Sequence, residues 1–156
     1  MARNYSKAKG RKENGQFMAI PHTCLRHENF TRLTPKARML FTDLLVQYNG
    51  NNNGDFTAAF SILKKRGWRS KETVFLAIDE LLHYGWIIRT RIGGFYKQAN
   101  LYAITLHPID ECGGKLDVDP TIVASGAWKK CVDKWVKPAN YLAREEKRKN
   151  KSQALV

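Results

Sequence analysis

Three apolar repeats of helical period, broken by two turn signatures and followed by two β-rich runs, constrain this chain more than any other feature. Ala37, Leu40, Phe41, Leu44, Leu45 and Tyr48 recur at i, i+3, i+4, i+7, i+8 and i+11, one face of a helix. Thr34 is a good N-cap and Pro35 is pre-set for the first helical position. Arg38, Asp43 and Gln47 fall away from the apolar face, and Asn49-Gly-Asn-Asn-Asn-Gly-Asp55 ends the helix. A second, shorter helix is expected from about Thr57 to Arg66, with Phe56, Ala59, Phe60 and Leu63 inward and Gly67 as its stop. Trp68-Arg69 forms a turn, and Ser70 caps a third helix with Glu72 near its positive end. Val74, Ala77, Ile78, Leu81 and Leu82 are its inner stripe, and Gly85 closes it.

Trp86 to Ile92 and Asn100 to Leu106 are β-rich runs around a Gly93-Gly94 loop, which reads as a hairpin. Arg89 and Arg91 stand two apart and so share a strand face. Helix, helix, tight turn, helix, hairpin is the order of a winged helix-turn-helix. The expected fold is therefore α+β, with a three-helix core and a β-hairpin wing over residues 17–110. Residues 1–16 carry Arg3, Lys7, Lys9, Arg11 and Lys12 against Glu13 and read as a flexible basic arm. Phe17 to Ile20 reads as a short strand or extended segment closed by Pro21. Residues 111–122 read as a connector and 123–156 as a helical extension with a basic tail. In that extension Trp128, Cys131, Val132 and Trp135 take i, i+3, i+4, i+7 spacing, which predicts a short helix interrupted at Pro138.

Charge gives the fold its chemistry. Lys and Arg number 27 against 14 Asp and Glu, a formal charge of +13 over 156 residues. Such an excess repels itself on a compact domain, and an anionic polymer is the simplest partner to offset it. The charge is concentrated at the corner between the second and third helices. Lys64, Lys65, Arg66, Arg69 and Lys71 put five cations in eight positions. Cations at the end of a helix offset its dipole, which accounts for Lys64 to Arg66 but not for Arg69 and Lys71 at the start of the next. In a helix-turn-helix the N-terminal end of the third helix enters the major groove, where its free N–H groups also suit phosphate. Lys71 there can donate to guanine, and Ser70 and Thr73 can reach base or phosphate. Lys64, Lys65, Arg66 and Arg69 suit backbone contacts that set register. Arg89, Arg91 and Lys97 make the wing basic, for phosphates or a minor groove. Glu72, Asp79 and Glu80 repel phosphate and are expected to point away from it, with Glu72 the first candidate for an exception; Leu76 lies among them.

The pattern Pro21-His22, Leu25, Phe30, Leu33-Thr-Pro-Lys-Ala-Arg38, Tyr48-Asn-Gly-Asn-Asn-Asn-Gly54, Arg66-Gly-Trp68, Ser70-Lys71, Glu80-Leu81, Gly85 and Leu101-Tyr102 resembles small winged-helix proteins of phages and mobile elements. These are similar to the N-terminal domains of phage and plasmid replication initiators. The resemblance spans residues 17–107 and implies a DNA-binding fold, without naming a target site or a process.

Other functions find less support. Cys24, Cys112 and Cys131 are odd in number and widely spaced, so no disulfide framework is expected. His22-Thr-Cys24-Leu-Arg-His27 has no second ligand cluster to complete a zinc site. There is no GxxxxGK[ST] loop, no cofactor is expected, and the dispersed His22, His27, His83 and His107 suggest no catalytic group. No apolar run approaches a membrane span, and the basic N-terminus lacks the apolar stretch of a secretory signal, so a cytoplasmic or nucleoid location is expected. Double-stranded DNA is the expected partner, in transcription control or replication of a mobile element, with a homodimer possible. Two alternatives stay open. One is a protein-interaction module anchored by Trp128 and Trp135. The other is RNA binding through Phe95 and Tyr96.

Overall fold

A computed structural model of the chain describes residues 15–94 and 98–153. The architecture is α+β. Six α-helices and one antiparallel sheet of three strands are found among the described residues. The helices are α1 (His22–Arg26), α2 (Glu28–Thr31), α3 (Pro35–Leu45), α4 (Phe60–Lys64), α5 (Lys71–His83) and α6 (Ala139–Gln153). The strands β1 (Phe56–Thr57), β2 (Ile87–Arg91) and β3 (Leu101–Ile104) lie in the order β1-β3-β2. None of these helices is long and apolar enough to cross a membrane.

The central helices follow the capping signals of the sequence. Thr34 Oγ1 accepts from the Ala37 N–H at 3.3 Å, with Pro35 in the first turn, and Ser70 Oγ accepts from the Thr73 N–H at 3.3 Å. Gly85 ends α5 in the left-handed region at φ +71, and a Cβ there would meet the Ala127 backbone at 2.7 Å. Helices α3 and α5 pack together through Ala37, Leu40, Phe41 and Leu44 against Val74, Ala77 and Leu81, all buried. Glu80, expected only to point away from phosphate, is 2% exposed. Its two oxygens accept from Thr34 N at 2.6 Å and Thr34 Oγ1 at 2.7 Å, locking the start of α3 to the middle of α5.

Several expectations are corrected. The helix expected from Thr57 is reduced to Phe60–Lys64 because Phe56 and Thr57 pair with Tyr102 and Leu101 of β3. Gln47 reinforces this pairing: its amide donates to Thr57 O at 2.9 Å and accepts from Thr57 N at 2.9 Å. Gln47 thus faces the strand, and Asp43 is 6% exposed, so neither falls on a solvated helix face. The helix expected over 128–135 is absent apart from a single 3-10 turn at Ala127–Lys129. Its carbonyls have tertiary partners instead. Asn29 Nδ2 donates to Trp128 O and Lys130 O, both at 2.8 Å, and Arg32 Nη1 donates to Val132 O at 3.0 Å. The segment is therefore an extended strap. Trp128 stacks on Trp86 with centroids 5.3 Å apart, and Phe30 and Phe41 pack edge-on against the same Trp86 ring. Helix α6 lies within the expected helical extension, begins just after Pro138 and runs unbroken to Gln153. Helices α1 and α2 carry no strong periodic signal, being one turn each; Phe17 to Ile20 is extended without strand pairing.

The Asn-rich turn is a structural hub. Asn53 is fully buried; its amide donates to Ile104 O at 3.0 Å, His107 O at 3.0 Å and Pro108 O at 2.8 Å, while its Oδ1 accepts from Ile104 N at 2.9 Å. One side chain thus joins the exit of α3 to the end of β3. Asn53→Ala leaves those buried backbone groups without partners and should lower unfolding free energy by roughly 2–4 kcal/mol, read by chemical denaturation. A change below about 0.5 kcal/mol would contradict this role.

Candidate nucleic-acid interface

The corner between α4 and α5 is built around one buried carboxylate. Leu63 and Trp68 are the inward residues, 0% and 3% exposed. Gly67, at φ +93, lets the chain reverse between them. Asp43 Oδ2 accepts from Trp68 Nε1 at 2.7 Å, and Asp43 Oδ1 accepts from Arg66 Nε at 2.6 Å. With Leu63 and Trp68 fixed inward, Lys64, Lys65, Arg66, Arg69 and Lys71 are all exposed. Arg66 is the one tied to a carboxylate; Lys64, Lys65, Arg69 and Lys71 have no such partner within 4.0 Å among the described residues. Ser70 and Thr73 are half-buried at the start of α5, beside a cleft that also borders Gly67, Trp68, Arg69 and Lys36.

Lys36 is a residue that sequence reasoning missed. Its Nζ lies 5.7 Å from the Trp68 ring centroid, which adds a cation to the corner from the first turn of α3. Nothing local in the sequence ties it to residues 28 or more positions away.

The hairpin side chains divide. Arg89 is exposed. Arg91 is half-buried, and its Nη2 donates to Ala99 O at 3.0 Å, so its guanidinium braces the base of the hairpin. A bulge between Arg89 and Arg91 turns Thr90 inward, where its hydroxyl donates to Gly54 O at 2.6 Å. Lys97, Phe95 and Tyr96, and the cations of the N-terminal arm, lie outside the described residues.

The acidic residues of α5 have partners other than solvent. Glu80 holds Thr34, and Asp79 Oδ2 accepts from Trp135 Nε1 at 2.8 Å. Glu72 lies 3.6 Å from Arg148 of α6. Leu76 lines a pocket with Trp135 and Arg148, beneath the strap. The strap and α6 thus run antiparallel along the outer face of α5. His83 Nε2 donates to Asp133 O at 2.7 Å, the Tyr84 hydroxyl accepts from Trp135 N at 2.9 Å, and Tyr141 stacks on Phe75 at 5.5 Å. Lys137 beside Glu145, donating to it at 2.6 Å, holds that carboxyl below its ordinary range. Both tryptophans expected as possible anchors for another protein are therefore engaged within the chain.

The histidine and cysteine group near residue 24 has structural duties. Burial pushes the Cys24 thiol up, which disfavours the thiolate that binds metal, and His27 Nδ1 accepts from Asn29 N at 3.1 Å at the start of α2. Comparison of the chain with family models, curated proteins and solved structures gave no match.

Asp43→Ala removes both acceptors at the corner and leaves the Trp68 indole N–H buried without a partner. A loss of about 2 kcal/mol or more in unfolding free energy is expected, measured by denaturant titration. An unchanged midpoint would show that Asp43 does not hold the turn.

Proposed function

We propose that the chain is a winged helix-turn-helix protein that binds duplex DNA through the α4–α5 corner. The order α3, α4, turn, α5, then the β2–β3 hairpin is that of the motif, and the carrying observation is the outward set Lys64, Lys65, Arg66, Arg69 and Lys71 around a turn anchored from behind. The start of α5 adds the positive end of a helix of 13 residues to this set. Positive charge on an exposed corner suits a groove bordered by phosphates, and counterion release from those phosphates supplies the affinity. In this reading Lys71, Ser70 and Thr73 meet base edges, and Lys64, Lys65, Arg69 and Lys36 the backbone. Arg89 extends the contact along the hairpin; Lys97 and the basic arm belong to the same proposal. Control of transcription or replication of a mobile element is the process we associate with such binding. Catalysis is not part of the reading, and the charge, rather than an exposed apolar anchor, favours nucleic acid over a protein partner.

Binding of a fluorescein-labelled random duplex, followed by anisotropy across salt concentrations, tests the proposal. Neutralisation of about six phosphates predicts a slope of log affinity against log salt near −5. Arg69→Ala should weaken binding nearly uniformly across sequences, whereas Lys71→Ala should do so in a sequence-dependent way by about 1–3 kcal/mol on the selected site. A flat salt response, or full affinity in both variants, would remove the corner from consideration.

A further inference from the structure

The outer face of α5 cannot serve along its length as the surface that meets DNA, because it is acidic and it is covered. Between Glu72 and His83 that helix contains no Lys or Arg, and Glu72, Asp79 and His83 of its outer face all contact the C-terminal segment. What covers it has the opposite charge. Helix α6 carries Arg144, Lys147, Arg148, Lys149 and Lys151 against Glu145 and Glu146, a net charge of +3.

The seat of α6 separates its anchoring residues from its free ones. Tyr141 stacks on Phe75, Glu145 pairs with Lys137, and Arg148 approaches Glu72. Arg144, Lys147 and Lys151, at i, i+3 and i+7, form a separate stripe; all are exposed, and none has a carboxylate within 4.0 Å among the described residues. The stripe is linked to the corner through α5. Lys71 and Phe75 are one turn apart on α5, Phe75 stacks on Tyr141, and Arg144 lies 5.7 Å from the Tyr141 ring centroid.

We infer that the Arg144–Lys147–Lys151 stripe of α6 is a second phosphate-binding surface, which holds the backbone of the same DNA duplex that the α4–α5 corner engages. This rests on the duplex-binding reading above. Charge complementarity selects the occupant. A helix that masked the corner from DNA would be acidic, to pair with the lysines it covered; α6 instead brings Arg148 to Glu72 of α5 and turns its other cations Arg144, Lys147 and Lys151 outward. With the strap on Asp79 and α6 at Glu72, a face that repels phosphate gives way to one that attracts it.

The test uses the full chain carrying Arg144→Ala, Lys147→Ala and Lys151→Ala together, a change that keeps Tyr141, Glu145 and Arg148 in their seats. Its thermal midpoint is compared first with that of the unaltered chain, because the exposed stripe should contribute little to stability. On random duplex, the slope of log affinity against log salt should become shallower by about two to three, and affinity near 0.15 M salt should fall by about tenfold or more. A companion triple variant, Lys64→Ala with Lys65→Ala and Lys71→Ala, separates the two claims. If it weakens binding while the α6 variant keeps the original slope, the corner stands and the α6 surface falls. Tighter binding by the α6 variant would identify α6 as a lid and overturn the inference. Absence of duplex binding by the unaltered chain at low salt overturns both.

Discussion

Arg66 and Trp68 donate to the same carboxylate, Asp43, at 2.6 Å and 2.7 Å, and the shape of the cationic corner depends on this pair of bonds. Lys64, Lys65, Arg69 and Lys71 repel one another across a turn that a glycine makes pliable. In water each such repulsion is about 1 kcal/mol or less, yet several act on one short segment. The opposing hold comes from behind, through a buried indole, a buried leucine and a carboxylate whose charge partner is Arg66. The inward direction of Leu63 and Trp68 decides that everything between them points out. A surface arginine pair alone would be too weak and too mobile to set that geometry; the indole N–H, buried with its acceptor, is what fixes it.

A second constraint is the covering of α5. Its sequence is amphipathic with an acidic outer face, and left bare it would expose Phe75 and Leu76 beside Glu72 and Asp79. The strap and α6 satisfy these groups in sequence, from Ala127 at Gly85 to Arg148 at Glu72. The strap is held by the side chains of Asn29, Arg32, His83 and Tyr84, and by Trp128 on Trp86, so the two short helices near the N-terminus and the C-terminal segment depend on each other. The α4–α5 corner and the C-terminal segment that covers α5 form one electrostatic object rather than a head with a loose tail.

Elements defined by local chemistry were legible in the sequence. The caps at Thr34 and Ser70, the stop at Gly85, the apolar stripes of α3 and α5 and the two runs of the hairpin all depend on residues within a few positions of each other. What could not be read depends on distant partners. Gln47 draws Thr57 into a strand, and Asn29 and Arg32 extend a segment whose spacing suggested a helix. Glu80 and Asp43 look like surface acids until Thr34 and Trp68 are brought to them. At the corner, the five cations were visible in sequence, but their common exposure, the tether on Arg66 and the approach of Lys36 were not. Arg91 looked equivalent to Arg89, and only the bulge at Thr90 and the carbonyl of Ala99 separate them.

Lysine acetylation footprinting with and without a duplex tests the central claim most directly, since it reads each ammonium group in the unaltered chain. The account predicts that Lys64, Lys65, Lys71, Lys147 and Lys151 lose reactivity together when the duplex is bound, while Lys115 and Lys130, exposed elsewhere, keep theirs. Protection confined to Lys115 and Lys130, or no protection at the corner under conditions where the duplex is bound, would contradict it.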